Sequence, residues 1–249
     1  MKKRDFILNL FNKIISILNI NSSKKIPQDF LKKYNLHLEE IIKNKRGFRI
    51  FPKLHYDVGE HPFNSLDFEC AFASALINKL RPEKILEIGS YRLWILGLLA
   101  HFDITTIDIR NRKKFTKNET VITCDAKNLK IPNESFDMIV SLCTIEHFGL
   151  GRYGDEFDIN GDLKAFKEMI RVLKPRGHII FTVPITRAQP TIIFNAHRIY
   201  SYEMIKKFCT DLTCVKEKFF HPWTMNFCSF REITTEPKAY DIYLGCWKK

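Results

Sequence analysis

Between Leu66 and Leu80, apolar residues recur at 66, 70, 73, 76, 77 and 80, the spacing of one helix face. Pro82 then marks a break before the next element. From there short apolar runs alternate with helical patterns. Strands are predicted at 84–89, 104–109 (ITTIDI), 121–125 (VITCD), 136–143 (FDMIVSLC) and 178–184 (HIIFTVP). Between the last two, DLKAFKEMIRVL carries apolar residues at 163, 166, 170 and 173, and Lys174-Pro175-Arg176-Gly177 ends that helix. A helix at 202–209 and strands near 213–220 and 240–247 close the chain. Nearly continuous apolar strands separated by helices predict an α/β fold: a doubly wound, mostly parallel sheet covered on both faces. No internal repeat is present.

The start of the chain is patterned differently. In DFILNLFNKIISILNI, Asp5, Asn9, Asn12, Lys13, Ser16 and Asn19 follow helical spacing, with Phe6, Leu10, Ile14, Ile17 and Leu18 on the other side. Lys2, Lys3 and Arg4 precede this segment, and Lys24 and Lys25 follow it. Residues 1–25 therefore read as an amphipathic basic helix that packs on its own domain, on a second subunit of a homo-oligomer, or on a membrane surface. Residues 26–65 read as an N-terminal extension or linker, weakly patterned, and 66–249 as the main domain.

At 249 residues with 45% hydrophobic content, the chain can bury a large core and is not disordered. Its apolar runs are too short to cross a bilayer, and no small-residue cleavage site follows the first of them. Seven cysteines form no C-x-x-C pair, which favours a reduced cytoplasmic protein without disulfides or a zinc knuckle, with a peripheral place at the inner membrane face as the option residues 1–25 add. The net charge of +12 attracts anionic partners, although scattered lysines in a Lys-, Ile- and Asn-rich chain account for it equally.

In sheets of this kind, ligands bind outside the carboxyl ends of the strands. The first strand ends in Glu87-Ile88-Gly89, where Gly89 permits a sharp turn. The second ends in Asp108, 19 residues after Gly89, a distance at which a carboxylate accepts hydrogen bonds from a ribose diol. The third ends in Cys124-Asp125-Ala126; Asp125 can accept from an adenine amino group or cap a helix. Together they point to an adenosine-bearing ligand.

The order strand-E-x-G, acid-ended second strand, CDAKNLKIPNESFDMIVSLCTIEH and IRVLKPRGHIIFTVP resembles the successive motifs of class I S-adenosylmethionine-dependent methyltransferases over roughly residues 66–247. EHFGLGRYGDEFDINGD with FNAHRIYS is similar to a small, poorly characterised methyltransferase-like family whose bacterial members often look like surface-polysaccharide modifying proteins. The resemblance implies a seven-stranded Rossmann-like sheet with S-adenosylmethionine as cofactor. It places Asp108 on the ribose hydroxyls, Glu87 and Gly89 at the methionine end, and Asp125 with Ala126 at the adenine. The chain departs from the family where E-x-G-x-G-x-G becomes EIGSYRL: Tyr91 and Leu93 replace glycines, so Tyr91 must point away or fill cofactor space. Arg92 can meet the methionine carboxylate or lie in solvent.

The acceptor side is predicted from the later motifs. His147, beside Glu146 at the end of the fourth strand, can take a proton from an acceptor hydroxyl or pin the strand end. Arg152, Tyr153, Asp155 and Asp158 sit on a glycine-rich loop that suits a lid, or a surface loop capped by its own aspartates. His197 and Arg198 follow the fifth strand, and Arg198 with Arg152 can fork a phosphate or carboxylate. No tight metal-ligand spacing links the histidines and acids. The expected activity is O-methylation of a sugar-based or anionic small molecule, or of a surface-polysaccharide substituent. The rivals are an RNA methyltransferase, for which no separate RNA-binding module is found, and a non-catalytic ligand-binding or membrane-docking subunit.

Overall fold

The computed structural model describes residues 26–44, 46–56 and 63–249; the amphipathic helix read at 1–25 lies outside the described residues. The chain separates into two compact units, one within residues 1–62 and one spanning Phe63–Lys249. In the first, α1 (Gln28–Lys43) forms in a stretch read from the sequence as an extension or linker, and none of its side chains is buried. Phe30, Tyr34, Leu38 and Ile41 gather around a groove with Ile50, Phe51 and Pro52. Phe30 meets Tyr56 edge to face, with centroids 4.7 Å apart.

The second unit opens with α2 (Ser65–Leu80), set by a capping box at Asn64. The Asn64 side chain accepts from the Leu66 N–H at 2.8 Å, and Asp67 accepts from the Asn64 N–H at 2.7 Å. The chain then alternates through β1 (Ile85–Ile88), α3 (Arg92–Leu98), β2 (Ile104–Asp108), β3 (Glu119–Thr123) and β4 (Phe136–Leu142). After α4 (Gly161–Val172) come β5 (Leu173–Ile185), the short hairpin β6 (Thr191–Ile193) and β7 (His197–Ile199), and α5 (Tyr202–Phe208). β8 (Thr213–His221), β9 (Asn226–Cys228) and β10 (Asp241–Lys248) end the chain.

The main sheet runs β3-β2-β1-β4-β5-β10-β8-β9. β1 to β5 are parallel, and β10 inserts antiparallel between β5 and β8. Seven strands are predicted from the pattern; the eighth is β9, three residues that pair with the end of β8. Two boundaries also differ from the reading of the sequence. β3 begins at Glu119, because Ile104 pairs with that residue, and so Asp125 lies beyond its end. α4 has already ended at Val172, and the Lys-Pro-Arg-Gly stretch read as its stop lies inside β5, where Leu173 pairs with Phe136 and the Arg176 N–H bonds to the Lys249 carbonyl at 2.9 Å.

All four residues of β1 are buried, as a strand covered on both faces requires. Side chains alternate between two cores. Met138, Val140 and Ile180 pack with Phe72, Leu76 and Ile77 of α2 and Ile95 of α3. Ile139, Ile179 and Phe181 pack with Phe166 and Met169 of α4 and Phe208 of α5. Phe166 stacks on Phe208 with centroids 5.3 Å apart and meets Phe181 edge-on. Replacing so enclosed a ring leaves a cavity. Phe166→Ala should lower unfolding free energy by about 3–5 kcal/mol, measured by urea denaturation.

Candidate functional site

Strand order reverses at β1, whose neighbours are β2 on one side and β4 on the other. The crevice beyond these carboxyl ends is where ligands of open α/β sheets bind. A pocket opens there, lined among others by Gly89, Asp108, Asp125, Ala126, Thr144 and His147. Gly89 adopts φ +70°, and a Cβ at that position would collide with the Thr144 side chain. The turn thus needs glycine twice over, for its backbone conformation and for the close approach.

The glycine-poor loop leaves this pocket open. Tyr91 caps α3 at its N-terminus, is half exposed and does not line the pocket. Ser90 is buried instead: its hydroxyl accepts from the Leu142 N–H at 3.0 Å, and its N–H bonds to the Glu87 carboxylate. Glu87 also lies outside the pocket lining. Its second oxygen receives Arg112 at 2.8 Å, and the same guanidinium reaches Asp108 at 3.2 Å. Glu87 therefore acts on the pocket through the turn and through Arg112.

Arg92 differs from the expectation that it meets a methionine carboxylate. Its guanidinium makes a fork to Glu119, at 2.5 and 2.8 Å, and lies 5.6 Å from the Phe115 ring centroid. Glu119 is completely buried at the start of β3. A buried carboxylate demands a cation, and Arg92 supplies it away from the pocket.

Asp108 lines the pocket as expected, but it is not free. Arg110 donates its backbone N–H and its Nε to one oxygen and Nη2 to the other, all within 3.0 Å. Burial alone would raise the Asp108 pKa, yet the Arg110 and Arg112 contacts outweigh it and hold the carboxyl below its ordinary value. The Arg110 side chain lies over the Tyr153 ring at 4.5 Å and is largely exposed. Asp125 accepts from the Lys127 N–H at 2.8 Å, a local turn that leaves it and Ala126 in the pocket wall.

At the far end of the pocket, His147 follows a short 3-10 turn (Ile145–His147) after β4. Its Nδ1 lies 2.5 Å from the Ala196 carbonyl. A carbonyl only accepts, so Nδ1 carries the hydrogen and Nε2 keeps a lone pair. Arg152 also donates to that carbonyl, at 3.3 Å. Burial, with Arg152 and His197 nearby, pushes the His147 pKa down to about 4, so the ring is neutral. Its Nε2 lies 3.8 Å from Glu146, whose pKa burial and the nearby Glu69 push up to about 8.

The loop after His147 is tied up by its own aspartates. Asp155 accepts from the N–H groups of Gly149, Gly151 and Tyr153, at 3.1 to 3.3 Å. Asp158 accepts from Asn160 and Lys164. Asp155 and Tyr153 still line the pocket, and Tyr153 meets His147 edge-on at 5.9 Å. Arg198 is 4% exposed and does not join Arg152 in a fork. It donates to the carbonyls of Phe148 at 2.7 Å and Ile159 at 3.0 Å, which fastens the loop to β7. His197 sits 6.3 Å from His147, ring to ring. Arg110, Arg112 and the buried acid Glu69 have no place in the sequence reading. IDIRNR offers a signal for the two arginines, whereas Glu69 looks like one more residue of an amphipathic helix.

A family described as "Caenorhabditis protein of unknown function, DUF268" matches residues 98–209. No curated protein matches the sequence. Among solved structures, a protein of Galdieria sulphuraria assigned as a sarcosine dimethylglycine methyltransferase superposes with TM-score 0.55 at 19% identity, covering 74% of this chain and 86% of that one. The Burkholderia thailandensis 1,6-didemethyltoxoflavin-N1-methyltransferase, solved with S-adenosylhomocysteine, gives 0.55 at 11% identity and 92% coverage of both chains. The N-methyltransferase NodS of Bradyrhizobium japonicum, also with S-adenosylhomocysteine, gives 0.50 at 19%, covering 75% and 88%. The fold is accordingly that of the Rossmann-like methyltransferases. No helix among the described residues is long and apolar enough to cross a membrane.

The buried acids make stability depend on pH. Glu146, and Glu69 with a pKa near 7, keep protons in the fold that the unfolded chain has released above about pH 5. Their contribution is complete below their unfolded pKa and is lost as pH rises through 7 to 8. His147 acts in the opposite sense, but only below about pH 6.5. The unfolding free energy from urea titrations should fall between about pH 6.5 and 8, by up to about 1.4 kcal/mol per pH unit for each proton, and Glu146→Gln should flatten that fall.

Proposed function

We propose that this pocket binds S-adenosylmethionine and that the chain transfers its methyl group to a small polar acceptor. The observation that carries this reading is one crevice that brings together the Gly89 turn, Asp108 at the end of β2 and Asp125 just past β3. The residues fit the cofactor: a glycine turn in the pocket wall, two carboxylates at or just past neighbouring strand ends, and no side chain from the altered loop in the lining. Asp108 would hold the ribose hydroxyls once the exposed Arg110 side chain gives way, and Asp125 with Ala126 would meet the adenine. When bound, the cofactor supplies an electrophilic methyl on a sulfonium.

The residues at the His147 end would seat the acceptor. His147 presents an unprotonated Nε2, fixed by the Ala196 carbonyl, that can hold or take the proton of an acceptor hydroxyl. A base held near pKa 4 takes a proton only as the nucleophile becomes acidic in the transition state, and Glu146 beside it can relieve it. Of the two expected acceptor features, a sugar hydroxyl suits this end better than a phosphate. The Arg152–Arg198 fork that a phosphate would need is not formed, and two buried acids stand close by.

Calorimetric titration with S-adenosylhomocysteine should show saturable binding. Asp108→Ala should weaken it about 10- to 100-fold, the loss of hydrogen bonds to a charged group. His147→Ala should keep affinity within about twofold, because that ring serves the acceptor end rather than the cofactor. Absence of binding by the parent chain would leave a non-catalytic module in place of a methyltransferase.

A further inference from the structure

Four side-chain atoms at the acceptor end are buried with no nitrogen or oxygen partner in another residue, Glu69 Oε1, both oxygens of Glu146, and His197 Nε2, and the weakly donating Cys143 thiol is what Glu146 meets. Such atoms are rare in folded proteins, and each calls for a cause. Here four of the five found among the described residues share one neighbourhood. Glu69 and Glu146 are each 1% exposed. The second oxygen of Glu69 takes the Thr182 hydroxyl hydrogen, and Thr182 in turn accepts from the Cys143 N–H at 2.9 Å. Cys143 and Glu146 interact directly, Glu69 and Glu146 repel each other, and Tyr240 feels both acids. The His197 ring stands 5.3 Å from that of Tyr240. Among the described residues, no Lys or Arg forms an ion pair with Glu69, and Glu146 has none but the long approach of neutral His147.

The chemistry of these atoms selects a ligand group. Burial pushes both acids toward their protonated form while no cation is near, and a positive group beside them favours the ionised, accepting form. A phosphate or carboxylate would be repelled, and a hydroxyl brings one hydrogen to several acceptors. An ammonium brings three hydrogens and the opposite charge. No group of three ligating side chains stands ready for a metal ion among the described residues. The pocket wall reaches this neighbourhood at Cys143 and His147, on either side of Glu146 in the chain, and Glu69, Glu146 and His197 lie behind that wall.

We propose that Glu69, Glu146 and His197 form a subsite for an amino group of the methyl acceptor, so that the substrate class is an amine-bearing small molecule. This assignment rests on the methyltransferase reading for the word acceptor, while the amine subsite stands on its own geometry. Which atom receives the methyl is left to the nucleophile that faces the sulfonium.

The test compares ethanolamine with ethylene glycol, equal in size and different only in one polar group, by ligand-observed NMR on the full chain. Ethanolamine should bind at least about tenfold more tightly, a difference of about 1.4 kcal/mol. Glu146→Gln and Glu69→Gln, each nearly isosteric, should bring the two compounds close to equal while thermal unfolding shows both variants folded. Equal binding of the two compounds by the parent chain, no saturable ethanolamine binding, or an unchanged preference in both variants overturns the proposal. S-adenosylhomocysteine calorimetry on the same samples separates the two claims. Cofactor binding without amine preference removes the subsite alone, and amine preference without cofactor binding removes the methyltransferase reading alone.

Discussion

Arg112 joins the ends of two strands. Its guanidinium reaches Glu87 at 2.8 Å and Asp108 at 3.2 Å, and only 11% of its side chain is exposed. Glu87 in turn takes the Ser90 N–H, and Ser90 takes the Leu142 N–H, so β1, β2 and β4 are linked where the sheet reverses order. Losing one partner of a buried charge network is far more damaging than never having built it. The turn at Gly89 and the orientation of Asp108 both hang on this network. It also gives Glu87 a physical role that does not require contact with any ligand.

Charge is distributed unevenly around the crevice. At the Asp108 end, Arg110 and Arg112 pair with Asp108 and Glu87, and Asp108 is kept ionised and engaged. At the His147 end, carboxyls without cations are pushed toward their neutral form and the histidine is held neutral. The first arrangement suits the recognition of hydroxyl groups by a carboxylate once Arg110 moves aside. The second suits a group that brings hydrogens and positive charge with it. An overall charge of +12 conceals this local inversion, because surface lysines dominate the total and contribute nothing inside the pocket.

Much of the architecture was legible along the chain. The apolar stripe of α2 and the acid ending β2 each depend on local spacing, and each reappears in the structure. α1 lies in a stretch read as weakly patterned, although Phe30, Tyr34, Leu38 and Ile41 fall at helical spacing along it. The glycine-poor loop raised a question of available space, and the answer came from direction: Tyr91 faces out while Ser90 faces in. Asp155 was legible as a loop residue in either of two roles, and its three N–H partners show that it caps the loop.

By itself, then, the order of residues determined the elements, their alternation and the acids that end β2 and follow β3, since strand and helix periodicity are local properties. Tertiary structure decided what each charged side chain does. Arg92 went to Glu119 and Arg198 to three backbone carbonyls because buried acids and carbonyls, brought near by folding, competed for them more strongly than solvent or a ligand. Glu69 and Glu146 stand 77 positions apart in the sequence. They became neighbours only because α2 and the end of β4 pack against the same part of the sheet, and no periodicity records that meeting.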